Sequence, residues 1–430
     1  MFPKIKNTLK THLETLFRVF LSMVLRTASA VVMFVFTLIL ARNLGAEQAG
    51  YFFISLSAAV LLSSFASMGL ENTVLRFTGA EPTNGKVIKS TLNHALKYIF
   101  FIGFSLSSIF FLLSPFLSET IFQKPRIELS LKYIAPSIMG LSMATVIAMS
   151  LQARQLLLSS VSCRGLSFPL ICIVAVLISR EPDAADVAGF YSLSLLSTTL
   201  VFYWLAVRKI EYGGGEVSTH LFWQSSMPNW VTNISNQTIH WAPLLVVGVF
   251  LSSQEAAHYG VAQRISMLVS FFLSAVNLVI APKFSELTSR GDIDDLRKIT
   301  VFASRLVTFC AMPVVVSLLL FPEKILVLFG AEFKQGASIL QILLLGQVVN
   351  ILTGPVGYLL MMSGNERDVT RASFVSGFGL LLVIPLFVKI YGVIGAAVIF
   401  SFFVSLQSLI SVYFVKKRFG FNALRIWQKI

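Results

Sequence analysis

Long apolar stretches separated by short polar segments run along the whole chain. Most of them hold about 20 residues, the length that an α-helix needs to cross the hydrocarbon core of a bilayer. The pattern therefore predicts an all-α, polytopic membrane protein. Twelve spans are predicted, at 18–40, 51–70, 93–114, 131–151, 165–179, 189–207, 228–251, 258–282, 299–321, 336–362, 371–388 and 392–415.

The spans form two groups of six, separated by a glycine run at 213–215 that is typical of a flexible connection. The halves resemble each other weakly at an offset of about 208 residues. Equivalent loops then emerge on the same face, which predicts a parallel repeat of two lobes around a central cavity. The predicted segments are an amphipathic surface helix (1–17), a first lobe (18–210), a cytoplasmic linker (211–227), a second lobe (228–415) and a basic tail (416–430).

Charge is distributed unevenly between the two predicted faces. The chain has 430 residues, 56% of them hydrophobic and 13% charged, with a net charge of +14. Of the 34 lysines and arginines, 23 fall in the termini and the even-numbered loops, eight on the other face and three within spans. The excess of positive charge predicts that both termini are cytoplasmic. It also explains the basic composition without a nucleic-acid partner.

Four basic residues lie inside predicted spans: Arg26, His240, Arg264 and Arg305. An arginine at the centre of a membrane helix costs at least about 2.5–3.5 kcal/mol, so it is retained where it faces a wet cavity, a partner or a substrate. Arg26 lies about eight residues, or roughly 12 Å, into its span, and Arg264 has no acid one helical turn away. The spans contain almost no acids, and the three arginines therefore predict a cationic cavity for an anion.

Structural alternatives remain open for each of these residues. Arg26 and Arg264 would also suit pairing within the bundle, and Arg305 lies near enough to the end of its span to snorkel to the interface. His240 suits a proton-coupled step, although a buried histidine bonded to a backbone carbonyl fits equally well. Amides in the second half are candidate sugar contacts that would serve equally to join helices: Asn233, Asn236, Gln237, Asn277 and Asn350.

Several kinds of catalytic motif are missing from the sequence. There is no G-x-x-x-x-G-K-[ST] nucleotide-binding loop, no visible Ser-His-Asp set and no metal-ligand spacing among the three cysteines. We therefore expect no cofactor, no metal and no enzymatic activity.

Three stretches resemble a known family. They are LARNLGAEQAGYFFISLSAAVLLSSFASMGLENTVLRF at 40–77, YGVAQRI at 259–265 leading to APK at 281–283, and FGAEF at 329–333 leading to LMMSGN at 360–365. Together they resemble the O-antigen (Wzx-type) flippases of the multidrug/oligosaccharidyl-lipid/polysaccharide exporter superfamily, which includes the MATE transporters.

The resemblance implies twelve helices in a MATE-like V of two lobes. It implies movement of undecaprenyl-diphosphate-linked oligosaccharide from the cytoplasmic to the periplasmic leaflet of the bacterial inner membrane, for O-antigen and lipopolysaccharide biosynthesis. A polymerase and a chain-length regulator would be partners in the same pathway. The family's cationic cavity corresponds best to Arg26 and Arg264, whereas His240 matches no family motif.

Three other functions compete with this interpretation. A multidrug antiporter of the same superfamily would need cavity acids to attract cationic drugs. A polymerase or ligase would need a large outer loop for its catalytic residues, and the longest outer loop here has about 16 residues. A lipid II flippase commonly has two further helices.

Overall fold

The computed structural model describes residues 2–81, 84–208 and 219–424. Within these ranges the regular structure is helical, without a β-strand. Nine of the described helices are long and apolar enough to cross a membrane. The predicted all-α, polytopic membrane architecture is confirmed.

Two of these nine helices are hairpins of two helices each. The backbone turns at Gly45 (φ 68°, ψ 173°) and at Gly392 (φ 60°, ψ −147°), and such positive φ angles are accessible to glycine without strain. Phe36 and Phe52 on either side of the first turn have ring centroids only 6.4 Å apart, so the chain has reversed direction.

A further long helix, Thr219–Phe250, is 32 residues long and rich in amides. With it and the two hairpins, the described chain is consistent with the twelve predicted crossings. We number the helices α1 (2–44), α2 (46–67), α3 (Gly85–Phe116), α4 (Pro125–Ala153), α5 (Leu157–Ile178), α6 (Ala184–Val207), α7 (Thr219–Phe250), α8 (Ser253–Leu268 and Ser270–Arg290), α9 (Ile293–Leu320), α10 (Ala337–Thr353 and Val356–Met362), α11 (366–391) and α12 (393–419). Short helices extend the loops, at Leu70–Ala80 after α2 and at Pro322–Leu326, Val327–Phe329 and Ala331–Gly336 between α9 and α10.

The fifth helix is longer than its predicted span of 165–179, and this changes where Arg164 lies. α5 starts at Leu157 and passes through a π-helical turn, Ser162–Leu166, before the apolar segment Ser167–Ile178. A span of 15 residues is too short to cross the hydrocarbon core, whereas the observed 22 residues are enough. Arg164, which the predicted boundaries placed in a loop, therefore lies two turns inside a membrane helix.

The predicted end segments and linker are only partly covered by the structure. The helix that contains α1 starts at Phe2 and includes the predicted surface segment, whose side chains lie outside the description. α7 starts at Thr219, nine residues before its predicted span, and 211–218 of the linker are not described. α12 continues to Phe419 in the predicted tail, of which 425–430 are not described.

The helices form two lobes, α1–α6 and α7–α12. The main backbone contacts between them join the α1–α2 hairpin and the Leu70–Ala80 helix to α7 and α8. We call the face with the chain ends and the α2–α3 loop the terminal face. The face with Gly45 and Gly392 is the opposite face.

The buried core shows which face is closed. Phe52 and Phe53 of α2 belong to one apolar core that continues into the second lobe through residues such as Val261 and Phe329. Near the terminal face, α8–α12 instead have a separate core that includes Phe284 and Leu359. The lobes therefore pack together near the opposite face. Near the terminal face α7 also packs on the first lobe, since Phe222 belongs to the same core and its ring centroid is 5.9 Å from that of Phe77, whereas α8–α12 have their own core there.

Candidate substrate cavity between the lobes

Polar contacts close the opposite face across the two lobes. The Arg42 Nε donates to the Leu328 carbonyl oxygen at 2.6 Å. The Ala46 N–H at the start of α2 donates to the Glu332 Oε1, also at 2.6 Å. Free N–H groups at a helix start are satisfied well by a carboxylate. A side chain of the second lobe therefore caps a helix of the first lobe.

A lysine adds a third contact across the same face. The Lys124 Nζ donates to the Gly248 carbonyl oxygen of α7 at 2.6 Å and to the Phe122 carbonyl oxygen at 3.1 Å. Burial lowers the pKa of the Lys124 ammonium, and the nearby Glu255 carboxylate partly opposes that shift. The lobes are thus joined by main-chain acceptors as well as by apolar packing.

Between α1 and α8 an open groove of about 440 Å³ divides the lobes. Two apolar side chains of its walls are exposed, Val31 by 54% and Phe271 by 42%, and most of the other lining residues are apolar as well. Such walls suit a lipid chain better than a polar group. The lining residues are Thr27, Ala30, Val31 and Phe34 of α1 and Leu268, Phe271, Phe272 and Ala275 of α8.

Arg26 lies next to this groove, one residue before Thr27, and is partly buried. Its guanidinium interacts electrostatically with Tyr358 of α10 and with Arg164 of α5. α5 and α10 belong to different lobes, and Arg26 is therefore near the space between them. Among the described residues, Arg26 has no acid within salt-bridge distance.

Arg264 lies deeper, where α2, α7 and α8 meet. Its guanidinium carbon is 4.0 Å from the Phe53 ring centroid and 5.8 Å from the Trp241 ring centroid. Nη1 donates to the Gly260 carbonyl oxygen at 3.0 Å, and Nη2 is buried without a hydrogen-bond partner. Cation–π contacts hold this arginine in place and leave one nitrogen available to an acceptor.

The other two basic candidates lie in the second lobe. His240 is partly buried with its ring centroid 5.8 Å from that of Phe400, and its Nδ1 is buried without a partner. The His240 carbonyl oxygen accepts a hydrogen bond from Gln263. Arg305 is partly buried on α9, which packs against α8 and α10. These contacts do not bring either side chain together with Arg26.

Most of the candidate amides connect helices. The Asn236 Oδ1 accepts from Gln407 at 2.7 Å, and the Asn350 Oδ1 accepts from Ser408 at 3.2 Å, both on α12. Asn277 is 6% exposed and its Oδ1 has no partner, while Gln237 is partly buried. Asn233 differs from these because it reaches the other lobe.

Asn233 contacts an acid that the sequence analysis left out of the site. Its Nδ2 donates to the Glu71 Oε1 at 2.7 Å and to the Ser67 Oγ at 3.4 Å. Glu71 is 7% exposed, and its Oε2 is buried without a partner. Glu71 follows the predicted second span by one residue, so the prediction placed it outside the membrane. Arg164 was missed because its span was predicted to start one residue later; the short length of that span was the available signal.

Comparisons with known proteins agree with this architecture. A family model described as "Polysaccharide biosynthesis protein" matches residues 39–338. Two similar proteins of Haloferax volcanii are described as "Probable low-salt glycan biosynthesis flippase Agl15" (22% identity over 39% of this chain) and "Probable flippase AglR" (25% over 43%). The matched regions span only 36% and 39% of those two relatives.

Solved structures share the fold at low sequence identity. The lipid II flippase MurJ in an inward closed conformation has a TM-score of 0.77 and 14% identity, over 92% of this chain and 87% of MurJ. An inward-facing MATE family multidrug transporter has a TM-score of 0.72 and 13% identity, over 95% of this chain and all of that one. The MATE-like fold expected from the resemblance is confirmed. Because the family model matches more than half of its residues, the chain belongs to the polysaccharide biosynthesis protein family.

Proposed function

We propose that the protein is a flippase that moves a lipid-linked oligosaccharide between membrane leaflets by alternating access. Both Haloferax relatives are described as flippases, one of them of glycan biosynthesis. The observation that carries the proposal is Arg26, which has no acid within salt-bridge distance among the described residues and lies one helical turn from Ala30 in the wall of an apolar groove between the lobes. An anionic headgroup with an apolar tail matches that combination.

The proposed mechanism uses the basic side chains between the lobes for the headgroup and the apolar groove for the lipid tail. The anionic headgroup enters the space between the lobes, where Arg26 and then Arg264 offer charge-assisted hydrogen bonds to phosphate oxygens. The tail remains in lipid along the apolar groove between α1 and α8. Separation of the lobes at the opposite face then exposes the headgroup on that side. An inside-negative potential favours outward movement of an anion by about 2.3 kcal/mol per charge per 100 mV.

The finer identity of the substrate rests on the sequence resemblance. We infer an undecaprenyl-diphosphate-linked repeat unit, such as an O-antigen unit, moved from the cytoplasmic to the periplasmic leaflet of a bacterial inner membrane. In this proposal the terminal face is cytoplasmic, as the charge distribution predicts. A polymerase and a chain-length regulator would act on the product. Arg305, His240 and the amides remain candidate contacts with the headgroup or its sugars.

The competing functions have weaker support. A multidrug antiporter would need cavity acids to attract cationic drugs, whereas the candidate cavity residues Arg26 and Arg264 are basic. A polymerase or ligase is disfavoured because the relatives are described as flippases. A lipid II flippase shares the fold, but the two further helices that such flippases commonly have are not among the twelve predicted crossings.

Deletion of the protein in its own host tests the proposal. We expect lipid-linked repeat units to accumulate, unflipped, while surface polysaccharide is lost. Plasmid-borne wild type should restore the surface polysaccharide, Arg26→Ala and Arg264→Ala should not, and the Lys variants should restore it partly. A deletion strain without accumulated lipid-linked units would show that the protein is not this flippase.

A further inference from the structure

Arg164 lies on an unusual part of its helix. The π-helical turn Ser162–Leu166 interrupts α5, and such turns occur frequently at functional sites because they redirect a side chain. Arg164 is exposed, although it lies two turns inside a membrane helix. No acid of the described chain is within salt-bridge distance of it. An arginine at this depth is costly in lipid, and its electrostatic interaction with Arg26 places it on the side of α5 that is near α1.

The surroundings of Arg164 include a second arginine that has no ion-pair partner among the described residues. Its charge interacts with that of Arg26 on α1. The helices touch at this level, because a Cβ atom on Gly165 would lie 3.3 Å from the Ser29 Oγ. Ser29 is one turn from Arg26, and its hydroxyl is buried without a partner. Two like charges brought together without a shared acid repel each other unless an anion lies between them.

One acid also interacts with Arg164. Glu71, at the start of the Leu70–Ala80 helix, interacts electrostatically with Arg164. Its Oε1 is occupied by Asn233 of the second lobe, and its Oε2 has no partner. Burial raises the pKa of Glu71, and in its ionised form Glu71 reduces the positive potential at Arg164 without forming an ion pair. An incoming anion then meets a repulsive carboxylate as well as two attractive guanidinium groups.

We propose that Arg164 and Arg26 together form a binding site for a diphosphate or phosphate-ester dianion near the terminal face, and that Glu71 weakens binding there. Arg164 is thereby a substrate-positioning residue in addition to the predicted arginines. This inference rests on the proposed function in one respect: the anion is taken to be the headgroup of a membrane lipid. Two guanidinium forks suit the oxygens of a diphosphate.

Binding of inorganic pyrophosphate to the purified protein in nanodiscs of zwitterionic lipid tests this site without transport. We expect Arg164→Ala and Arg26→Ala to raise the Kd at least tenfold, Arg164→Lys to raise it less, and Glu71→Gln to lower it several-fold. Arg208→Ala is the matched control, because Arg208 is exposed at the end of α6 and its guanidinium carbon is 4.8 Å from the Trp204 ring centroid. Its Kd should equal that of the wild type.

Opposite effects of the Arg164 and Glu71 variants are not expected from a structural role. A Kd for Arg164→Ala or for Glu71→Gln within twofold of wild type would overturn the proposal, as would wild type that binds no pyrophosphate. If Arg164→Ala does not fold, Arg164→Lys and Arg164→Gln supply the comparison.

The source of the anion is tested by competition. Polyprenyl diphosphate placed in the nanodisc should raise the apparent Kd for pyrophosphate in wild type. No competition would assign the site to a soluble anion and would overturn the lipid part of the proposal. Pyrophosphate binding that depends on Arg164, in a protein that flips no lipid, would contradict the proposed function alone. Full flipping and unchanged binding by Arg164→Ala would contradict only this inference.

Discussion

Individual arginines differ in how firmly the protein holds them. Arg26 has no acid near it among the described residues, and its environment spans both lobes. Arg264 instead stacks on Phe53 and bonds its own helix, which leaves only Nη2 without a partner. In the proposed mechanism, Arg26 would therefore make the first contact with the anion, and Arg264 would hold it at a fixed position.

Substitutions of Arg264 separate its charge from its shape. Arg264→Ala should lower the flipping rate roughly ten- to a hundredfold, since a charge-assisted hydrogen bond contributes about 1.5–3 kcal/mol. Arg264→Lys should be intermediate, because an ammonium keeps the charge but not the stacked, planar fork. Initial rates in proteoliposomes measure this. Arg290→Ala is the control, since Arg290 forms an exposed ion pair with Glu286; equal rates for Arg264→Ala and Arg290→Ala would contradict the expectation.

Asn236 distinguishes a helix-joining amide from a sugar contact. Gln407 donates to both Asn236 and Ser373, and it thereby joins α7, α11 and α12. Such a bond contributes about 0.6–2 kcal/mol in a membrane. Asn236→Ala should lower the free energy of unfolding by that amount, while the flipping rate per folded molecule stays close to wild type. Unchanged stability with slower flipping would identify a substrate contact instead, and Gln237→Ala is the neighbouring comparison.

Sequence identified isolated charges in apolar stretches better than it identified their partners. Arg26 was recognisable because it lies about eight residues inside an apolar span, and Arg264 because it lies inside a span with no acid one helical turn away. Arg164 was not, because serine, cysteine and glycine around it weaken the apolar signal where the π-helical turn forms. Glu71 depends on Asn233, 162 residues away, and no local pattern predicts a bond at that separation.

Helix pairs that approach closely determine how the lobes meet. At the start of α2, a Cβ on Gly50 would lie 1.9 Å from the Ser253 carbonyl oxygen, whereas one on Gly189 would have no atom within 4 Å. The glycine therefore allows α2 and α8 to touch at the opposite face. Hydrophobic pattern predicted both helices, but it carries no information about this backbone contact.

Gly50→Ala should favour a state that is open at the opposite face, because the added methyl group overlaps the backbone of the other lobe. The reporter is Ser253→Cys, since Ser253 is 6% exposed, in a variant without Cys163, Cys172 and Cys310. We expect thiol labelling from that side to become several-fold faster. Gly189→Ala is the matched control and should leave labelling unchanged; equal labelling of both glycine variants would disprove this role of Gly50.

The whole molecule combines a closed opposite face with an open groove between α1 and α8. At the opposite face the lobes are joined by Arg42, Lys124 and Glu332. The groove exposes apolar side chains between the same two lobes. The proposed alternating access requires the lobes to separate at the opposite face while the groove between α1 and α8 closes. The two-lobe architecture was predictable from twelve apolar spans and their repeat, whereas the face that is closed depends on contacts between the lobes.

Cross-linking the groove should stop transport. In the cysteine-free background, Val31→Cys and Phe271→Cys place thiols on the two walls of the groove, and a short bifunctional reagent would tether the lobes there. We expect flipping to be abolished and to return when a cleavable tether is cut. The control is Leu112→Cys with Met139→Cys, in a groove of about 410 Å³ within the first lobe. Full activity with the α1–α8 tether intact would contradict lobe movement at this groove.

Leaflet exchange of the substrate itself is the direct test of whether the protein is a flippase. Proteoliposomes would carry a fluorescent polyprenyl-diphosphate-linked oligosaccharide in both leaflets, and an external glycosidase would cleave only the outer pool. With wild type, cleavage should proceed beyond the outer pool towards completion, while Arg26→Ala and protein-free vesicles should stop once the outer pool is consumed. Cleavage that stops at the outer pool with wild type as well would show that the protein does not flip this substrate.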